Sequence, residues 1–238
     1  MRLRTIAAFR DAYRRELSCQ IVHDSHHERG FLQSHVISAD GAIVGYGSIN
    51  VDKTIKEFYV LPDCRSHSVQ LFQALLAQTR ATAIESQSND PFLMPLVEAC
   101  ATDLTSDTVL FADEAPTDLT APGATLRKLR WYKRRFVFRH TLEPVGDWAI
   151  EYDRQVVATG GLFFHYNRPY GDIYMEVALL FRRRGFGAFL VQELKHIARS
   201  GGHIPAARCS ADNAASQATL RRAGMRPCGR IIRGTVAA

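Results

Sequence analysis

Two short stretches hold the residue types that do chemistry, "GDIYMEV" (171–177) and "RRRGFGAFL" (182–190). In the first, Asp172, Tyr174 and Glu176 alternate with Ile173, Met175 and Val177, which reads as a strand with three polar groups on one face. A carboxylate on a central strand is costly to bury unless it is paired or used. Glu176 is therefore a candidate proton acceptor and Tyr174 a candidate donor, with an arginine ion pair as the competing role for Glu176 and simple packing for Tyr174. In the second stretch, three arginines precede Gly-Phe-Gly and an apolar helix starts at once. The first N–H groups of a helix have no partner within it, and the dipole there is positive. Glycines at 185 and 187 let the backbone approach an anion, and arginines add forked donors. The pattern predicts a phosphate-binding turn.

The elements that must hold this turn follow from periodicity. A strand ends at Val177, and the helix from Phe186 places Phe186, Phe189, Leu190, Leu194 and Ile197 inward before Gly201–Gly202 stops it. Upstream, "DWAIEYD" and "QVVATGGLFFHY" form a hairpin, preceded by a basic, strand-like run, "TLRKLRWYKRRFVFRH". Downstream come a strand, "IPAARCS", a short helix, "DNAASQATLRRAG", and a closing strand, "CGRIIRGTV". The first half repeats the order. A helix with Ile6, Phe9, Tyr13 and Leu17 on one stripe leads to the hairpin "FLQSHVIS"/"AIVGYGSI", the strand "IKEFYVL", the helix "VQLFQALLAQTRA", the strand "TAIES", a helix start at "SNDP" and the strand "DTVLFAD". "VLPDCRSHSVQ" aligns without gaps on "VALLFRRRGFG", so that Val60 matches Val177 and Arg65 matches Arg182, while Ser68 and Gln70 stand at the glycine positions. The chain reads as a diverged duplication, with chance similarity of two α/β units as the alternative. "DEAPTDLTAPGA" has linker composition. The expected domains are 1–118 and 119–238.

Composition bounds the function. The 238 residues are 46% hydrophobic, enough for a substantial core. No apolar run reaches membrane-spanning length, and the N-terminus returns to charge too early for a signal peptide. Five cysteines without close pairs suggest neither a disulfide framework nor a zinc ribbon, so a reduced, cytoplasmic setting is expected. "HDSHHE" has two histidines at i, i+3 but no third ligand, and no metal is expected. Residues 1–120 carry ten basic and sixteen acidic side chains, whereas residues 121–238 carry twenty and eight. That split points the second half toward an anionic partner: nucleic acid, a membrane surface or a phosphorylated cofactor.

The second half resembles the GNAT superfamily of acyl-CoA-dependent N-acetyltransferases. A strand ending in Val177 is followed by Arg182-x-x-Gly185-x-Gly187 and a helix from Ala188 onward. A second family element, Asn followed by a helix ending in Gly and an apolar residue, is matched by "NAASQATLRRAGM" (213–225). The first half looks like a worn copy. The resemblance implies an α/β (α+β) fold of two mixed-sheet domains in tandem, each largely antiparallel and flanked by helices, with a degenerate first domain. It implies acetyl-CoA as co-substrate, its diphosphate held by Arg182, Arg183, Arg184, Gly185, Phe186, Gly187 and Ala188. The backbone of Val177 and Leu179 and the side chains of Asn213 and Ser216 would meet the pantetheine arm.

The family's chemistry is direct attack of an amine on the thioester. Glu176 is then the expected base. Leu220 stands where the family often has a tyrosine acid, which leaves water, Cys209 or Tyr174 for that role. His165, Tyr166, Tyr170 and Asp172 are candidates for the acceptor pocket, with a structural histidine as the plainer reading of His165. The expected partner is a small-molecule or peptide amine, neither nucleic acid nor membrane, with the oligomeric state open and a homodimer among the choices. The alternative is a non-catalytic acyl-CoA-binding or sensing module.

Overall fold

The computed structural model describes residues 3–130, 137–138 and 142–236. Its contacts divide the chain into two units, Met1–Thr108 with Gly229–Ala238, and Val109–Cys228.

The first unit opens with α1 (Leu3–Glu16), followed by β1 (Leu32–Ala39), β2 (Ala42–Asn50), β3 (Thr54–Val60), α2 (Ser68–Thr79), β4 (Ala83–Gln87), α3 (Met94–Cys100) and the start of β5 (Ala101–Asp113). The apolar stripe read from the sequence buries Ile6 and Tyr13 of α1, and Leu17 just past its end, with Tyr46 and Tyr59. A second cluster gathers Phe58, Phe72, Leu75, Ile84 and Val97. β1–β2 and β2–β3 are antiparallel, and β3 and β4 are parallel.

The second unit contains the end of β5, then β6 (Ala124–Lys128), β7 (Trp148–Tyr152), β8 (Gln155–Phe163), β9 (Tyr170–Val177), α4 (Phe186–Ser200), β10 (Ile204–Ser210), α5 (Ala214–Arg222) and the start of β11 (Met225–Val236). β6 to β9 form an antiparallel meander, and β10 joins β9 in parallel. The core lies under α4, where Leu190, Val191 and Leu194 pack with Ile150, Val157, Ala158 and Ile173. Both units are thus mixed α/β, with antiparallel hairpins and a parallel pair in each, as expected. Of the basic run after β6, residues 131–136 and 139–141 lie outside the described residues.

The contact division lies within β5, one strand of 13 residues that carries the chain into the second unit without a break. One sequence expectation meets a difference here. The strand expected to close the second half likewise changes unit at Gly229, and Ile231–Thr235 pair antiparallel with Ala83–Gln87.

The segment with linker composition is not a free linker either. Gln192 of α4 accepts from Thr117 Oγ1 and from the Leu119 N–H, and donates to the Leu119 carbonyl at 3.1 Å. The Lys195 Nζ, buried beside it, donates to the carbonyls of Ala115 (2.6 Å), Ala223 (2.7 Å) and Gly224 (3.1 Å), and lies 2.9 Å from Asp113. One ammonium thus staples the segment after β5, the end of α5 and helix α4. Removing it strips three carbonyls, one of them buried and two part-buried, of their donor. Lys195→Met is expected to cost about 3 kcal/mol of folding stability, read from denaturant unfolding. A loss within about 0.5 kcal/mol, the range of an ordinary surface change, would exclude the staple.

Candidate active site

β9 and β10 are paired only from Tyr170–Ile173 and Ile204–Ala207. Beyond that point they part, and a cleft of about 850 Å3 opens in the second unit. Met175, Glu176 and Val177 of β9 form one wall, the turn at 182–188 its floor, and α5 residues from Asn213 to Arg222 the other wall. The edge of β9 at 174–177 therefore lacks its strand neighbour, an arrangement that accepts an extended ligand by main-chain pairing.

The turn has the geometry of an anion site. Gly185 is the N-cap of α4 with φ +88°, and no side chain caps the helix. A side chain there would be strained, and the space beside it is open apart from Arg222. Gly187 differs from expectation. A Cβ at 187 would lie 3.2 Å from both Val177 Cγ2 and Thr219 Cγ2, so this glycine lets α4 pack between β9 and α5 rather than clearing space for an oxygen.

The three arginines do three different things. Arg182 turns back into the cleft: its Nε donates to the Val177 carbonyl (3.1 Å), and an Nη lies 3.8 Å from Glu176. Arg184 leaves the cleft, its guanidinium over the rings of Tyr152 (4.9 Å), Phe186 (5.3 Å) and Phe181 (5.4 Å). Arg183, in the left-handed region at φ +62°, lines the cleft. Val177, Leu179, Phe186 and Ala188 line it as well, as do Asn213 and Ser216. Asn213 Oδ1 also accepts from the Ser216 N–H at 3.0 Å, so the spacing of this pair serves the helix cap.

Glu176 is buried at the cleft wall, paired across the hairpin with Thr159. One of its oxygens accepts the N–H groups of Leu142 (3.3 Å) and Glu143 (3.2 Å), which anchors that loop. The ion-pair and cleft-facing readings of Glu176 are thus both represented in its surroundings. Tyr174 is not brought to the cleft. Its ring stacks on Phe163 at 4.1 Å, and its hydroxyl lies over Gly161, where a Cβ would come within 2.8 Å of it. Neither Tyr174 nor Cys209 is among the cleft-lining residues, and Leu220 is in the core. Burial raises the Cys209 thiol pKa, which keeps the thiol protonated.

The residues expected to take the acceptor gather around Asp172. His165 Nε2 lies 2.9 Å and Arg208 Nε 3.7 Å from Asp172, and the Tyr166 ring sits under Arg208 at 5.8 Å. Burial first, then the Asp172 charge, pushes the Tyr166 hydroxyl well above the usual phenol range. Tyr170 instead donates its N–H to the Asn167 carbonyl as the strand begins. Glu143, which sequence reasoning missed, joins this neighbourhood. Burial raises its pKa, reinforced by Asp172 and Glu176 and opposed by Arg208. It sits in an irregular loop, so no periodicity could have marked it. Arg222 was missed too, although the helical spacing Ala215, Thr219, Arg222 carries the cleft-facing stripe of α5 to it.

The equivalent turn of the first unit is built otherwise. Pro62–His67 is a 3₁₀ turn that runs straight into α2. Arg65 pairs with Glu16 at 2.5 Å and lies 4.3 Å over Phe92. Asp90, past the end of β4, caps Phe92 and Leu93 as Asn213 caps Ser216, but its second oxygen takes the Tyr13 hydroxyl at 2.5 Å. Its own side chains engage the groups that the second unit leaves facing a cleft. Among the described residues no group of His, Cys, Asp and Glu is placed to hold a metal, and no helix is long and apolar enough to cross a membrane.

The solved structures that share this fold include an acetyltransferase of the GNAT family from Colwellia psychrerythraea, with a TM-score of 0.81 and 15% identity over 100% of this chain and 98% of that one. A tandem GNAT protein from the clavulanic acid biosynthesis pathway aligns with a TM-score of 0.57 and 14% identity, covering 87% of this chain and 83% of that one. A GCN5-related N-acetyltransferase from Sphaerobacter thermophilus gives a TM-score of 0.56 and 16% identity, over 87% and 81%. No curated protein matches the sequence. Residues 110–225 match the Acetyltransferase (GNAT) family and residues 2–114 match an Acetyltransferase (GNAT) domain. Two such domains in succession account for almost the whole chain, which belongs to the GNAT acetyltransferases, a family of acyltransferases, as a tandem member.

Proposed function

We propose that the second unit transfers an acetyl group from acetyl-CoA to a primary amine by direct attack. The carrying observation is one cleft that joins the open edge of β9, an uncapped helix start at Gly185 and the buried carboxylate of Glu176. Bound acetyl-CoA would supply the activated acyl group. The first N–H groups of α4 suit its phosphates, and the 174–177 edge suits its extended arm. Glu176 is the proposed acceptor of the amine proton, directly or through water. With Tyr174 and Cys209 away from the cleft wall, water is the proposed donor to the departing thiolate.

The acceptor we favour is a small cationic amine, because Glu143, Asp172 and Glu176 set three carboxyl groups near one another beside the cleft. A cytoplasmic setting is proposed on five cysteines that have no close pairs in the sequence.

The first unit, with its turn arginine engaged by Glu16 and Phe92 and its capping Asp90 by Tyr13, is proposed not to bind acyl-CoA. Calorimetry with acetyl-CoA is expected to give one site per chain, and two equal sites would exclude that assignment. Glu176→Gln keeps shape but cannot take a proton, so acceptor-dependent turnover is expected to fall by about a hundredfold or more. Acetyl-CoA affinity should stay near the parental value, and parental turnover with a parental pH profile would remove Glu176 as the base.

Glu143 yields a test of sign. Its raised pKa means that the folded chain holds this proton to higher pH than the unfolded chain does. The resulting cost is absent below the unfolded carboxyl range, about pH 4.3, and grows as pH rises through the folded value. Glu143→Gln removes it, so thermal melts from about pH 4 to 8 should show the variant gaining on the parent as pH rises. A constant gap would contradict the burial of that carboxyl.

A further inference from the structure

One backbone group on the cleft side of β9 already has a side-chain partner. Ala178 donates its N–H to the Val157 carbonyl of β8 at 2.9 Å, and the N–H and carbonyl of one trans peptide unit point to opposite sides of a strand. The Val177 carbonyl therefore points away from β8, toward the cleft that Val177 lines. There it accepts from Arg182 Nε at 3.1 Å, while an Nη of the same guanidinium lies 3.8 Å from Glu176 Oε1. These contacts are light. The Arg182 side chain is 45% exposed, and an exposed pair of this kind is worth little. Glu176 does not depend on it either, because the N–H groups of Leu142 and Glu143 hold its other oxygen. Arg182 can leave without stranding a buried charge.

We propose that Arg182 is a displaceable strap on β9, which occupies the Val177 carbonyl in competition with any ligand that pairs along 174–177. It rests on the acyl-CoA reading, and it makes Arg182 a competitor of the carrier's arm rather than a holder of its diphosphate. The two contacts of one guanidinium tie the strand edge to the carboxylate. When the arm takes over the carbonyl, Nε loses its acceptor. The guanidinium is planar and rigid, so the Nη beside Glu176 moves away with it. Glu176 then meets the acceptor amine without that counter-charge, still oriented by the two N–H groups of the 142–143 loop. Arg182 is in this way a positioning residue for Glu176 whose hold is released by the carrier. The neighbouring Arg184 has no such part, since its guanidinium lies over the rings of Tyr152, Phe181 and Phe186.

Calorimetry with CoA on the full chain tests the strap by the sign of the change. Losing a positive charge beside an anionic ligand ordinarily weakens binding. Losing a competitor strengthens it, because the fraction of chains with a free carbonyl rises. Arg182→Met is therefore expected to bind CoA about threefold tighter or more, with an unchanged thermal melt. Arg182→Lys, whose single ammonium cannot span both contacts, should fall between the two, and it carries the comparison alone should Arg182→Met fail to fold. Arg184→Met removes the same charge from over the rings and should stay within about twofold of the parent. Unchanged or weaker affinity in Arg182→Met would overturn the strap, and so would an equal gain in Arg184→Met. A parent chain that does not bind CoA would overturn the acyl-CoA reading and the strap with it, whereas CoA binding without a gain in the Arg182 variants would overturn the strap alone.

Discussion

The separation of β9 from β10 after Ile173 and Ala207 is the constraint on which the rest of the second unit depends. A parallel pair that stays together satisfies its own backbone, and nothing is left for a ligand. Here the pairing stops after four residues, so that β10 no longer accompanies 174–177 while β8 still pairs on the other side. α4 must then start beside the gap, and it does so because a glycine at 185 adopts a backbone conformation that other residues resist. Gly187 brings that helix down onto Val177 and Thr219. The cleft is therefore a product of close packing around an interrupted ladder.

The same ladder stops even sooner in the first unit, where β3 and β4 pair at only two positions. What differs is the chemistry around it. A proline-led turn without glycine replaces the left-handed residues at 183 and 185, and Glu16, Phe92 and Tyr13 engage the arginine and the capping carboxylate. One architecture thus leaves a cleft beside the turn in one copy and builds an internally satisfied network in the other. The buried polar groups of the first unit are costly unless paired, and the pairings that make them tolerable also use up the donors that a ligand would need.

On the polar face of β9, neighbouring side chains are given separate tasks. Glu176 faces the cleft and anchors Leu142 and Glu143. Tyr174 lies flat across Gly161 in a stack with Phe163 and His165. Asp172 collects His165 and Arg208. Alternation along a strand puts side chains on one face, but neighbours on adjacent strands decide where each one points.

The elements were legible from periodicity alone, because burying an apolar stripe or an alternating face leaves a local signature at fixed spacing. The stripe of Ile6, Tyr13 and Leu17, the hairpin that ends at Phe163 and the helix after Gly185 all stand where that signature puts them. The glycine turn was legible as a local element too, since a glycine in the left-handed region and an apolar helix start stand together at 185–190. The uses of Arg182, Arg184 and Tyr174 were not, nor was the part of Arg222 and Glu143. A long charged or aromatic side chain takes its direction from whatever lies within its reach, and for these residues that is another strand, another helix or a loop remote in sequence. The part played by the segment after β5 was hidden for a related reason. Residues 114–123 have the composition of a linker, and only the tertiary structure brings Gln192 and Lys195 against them, because a buried ammonium and amide need carbonyl partners wherever the fold can supply them.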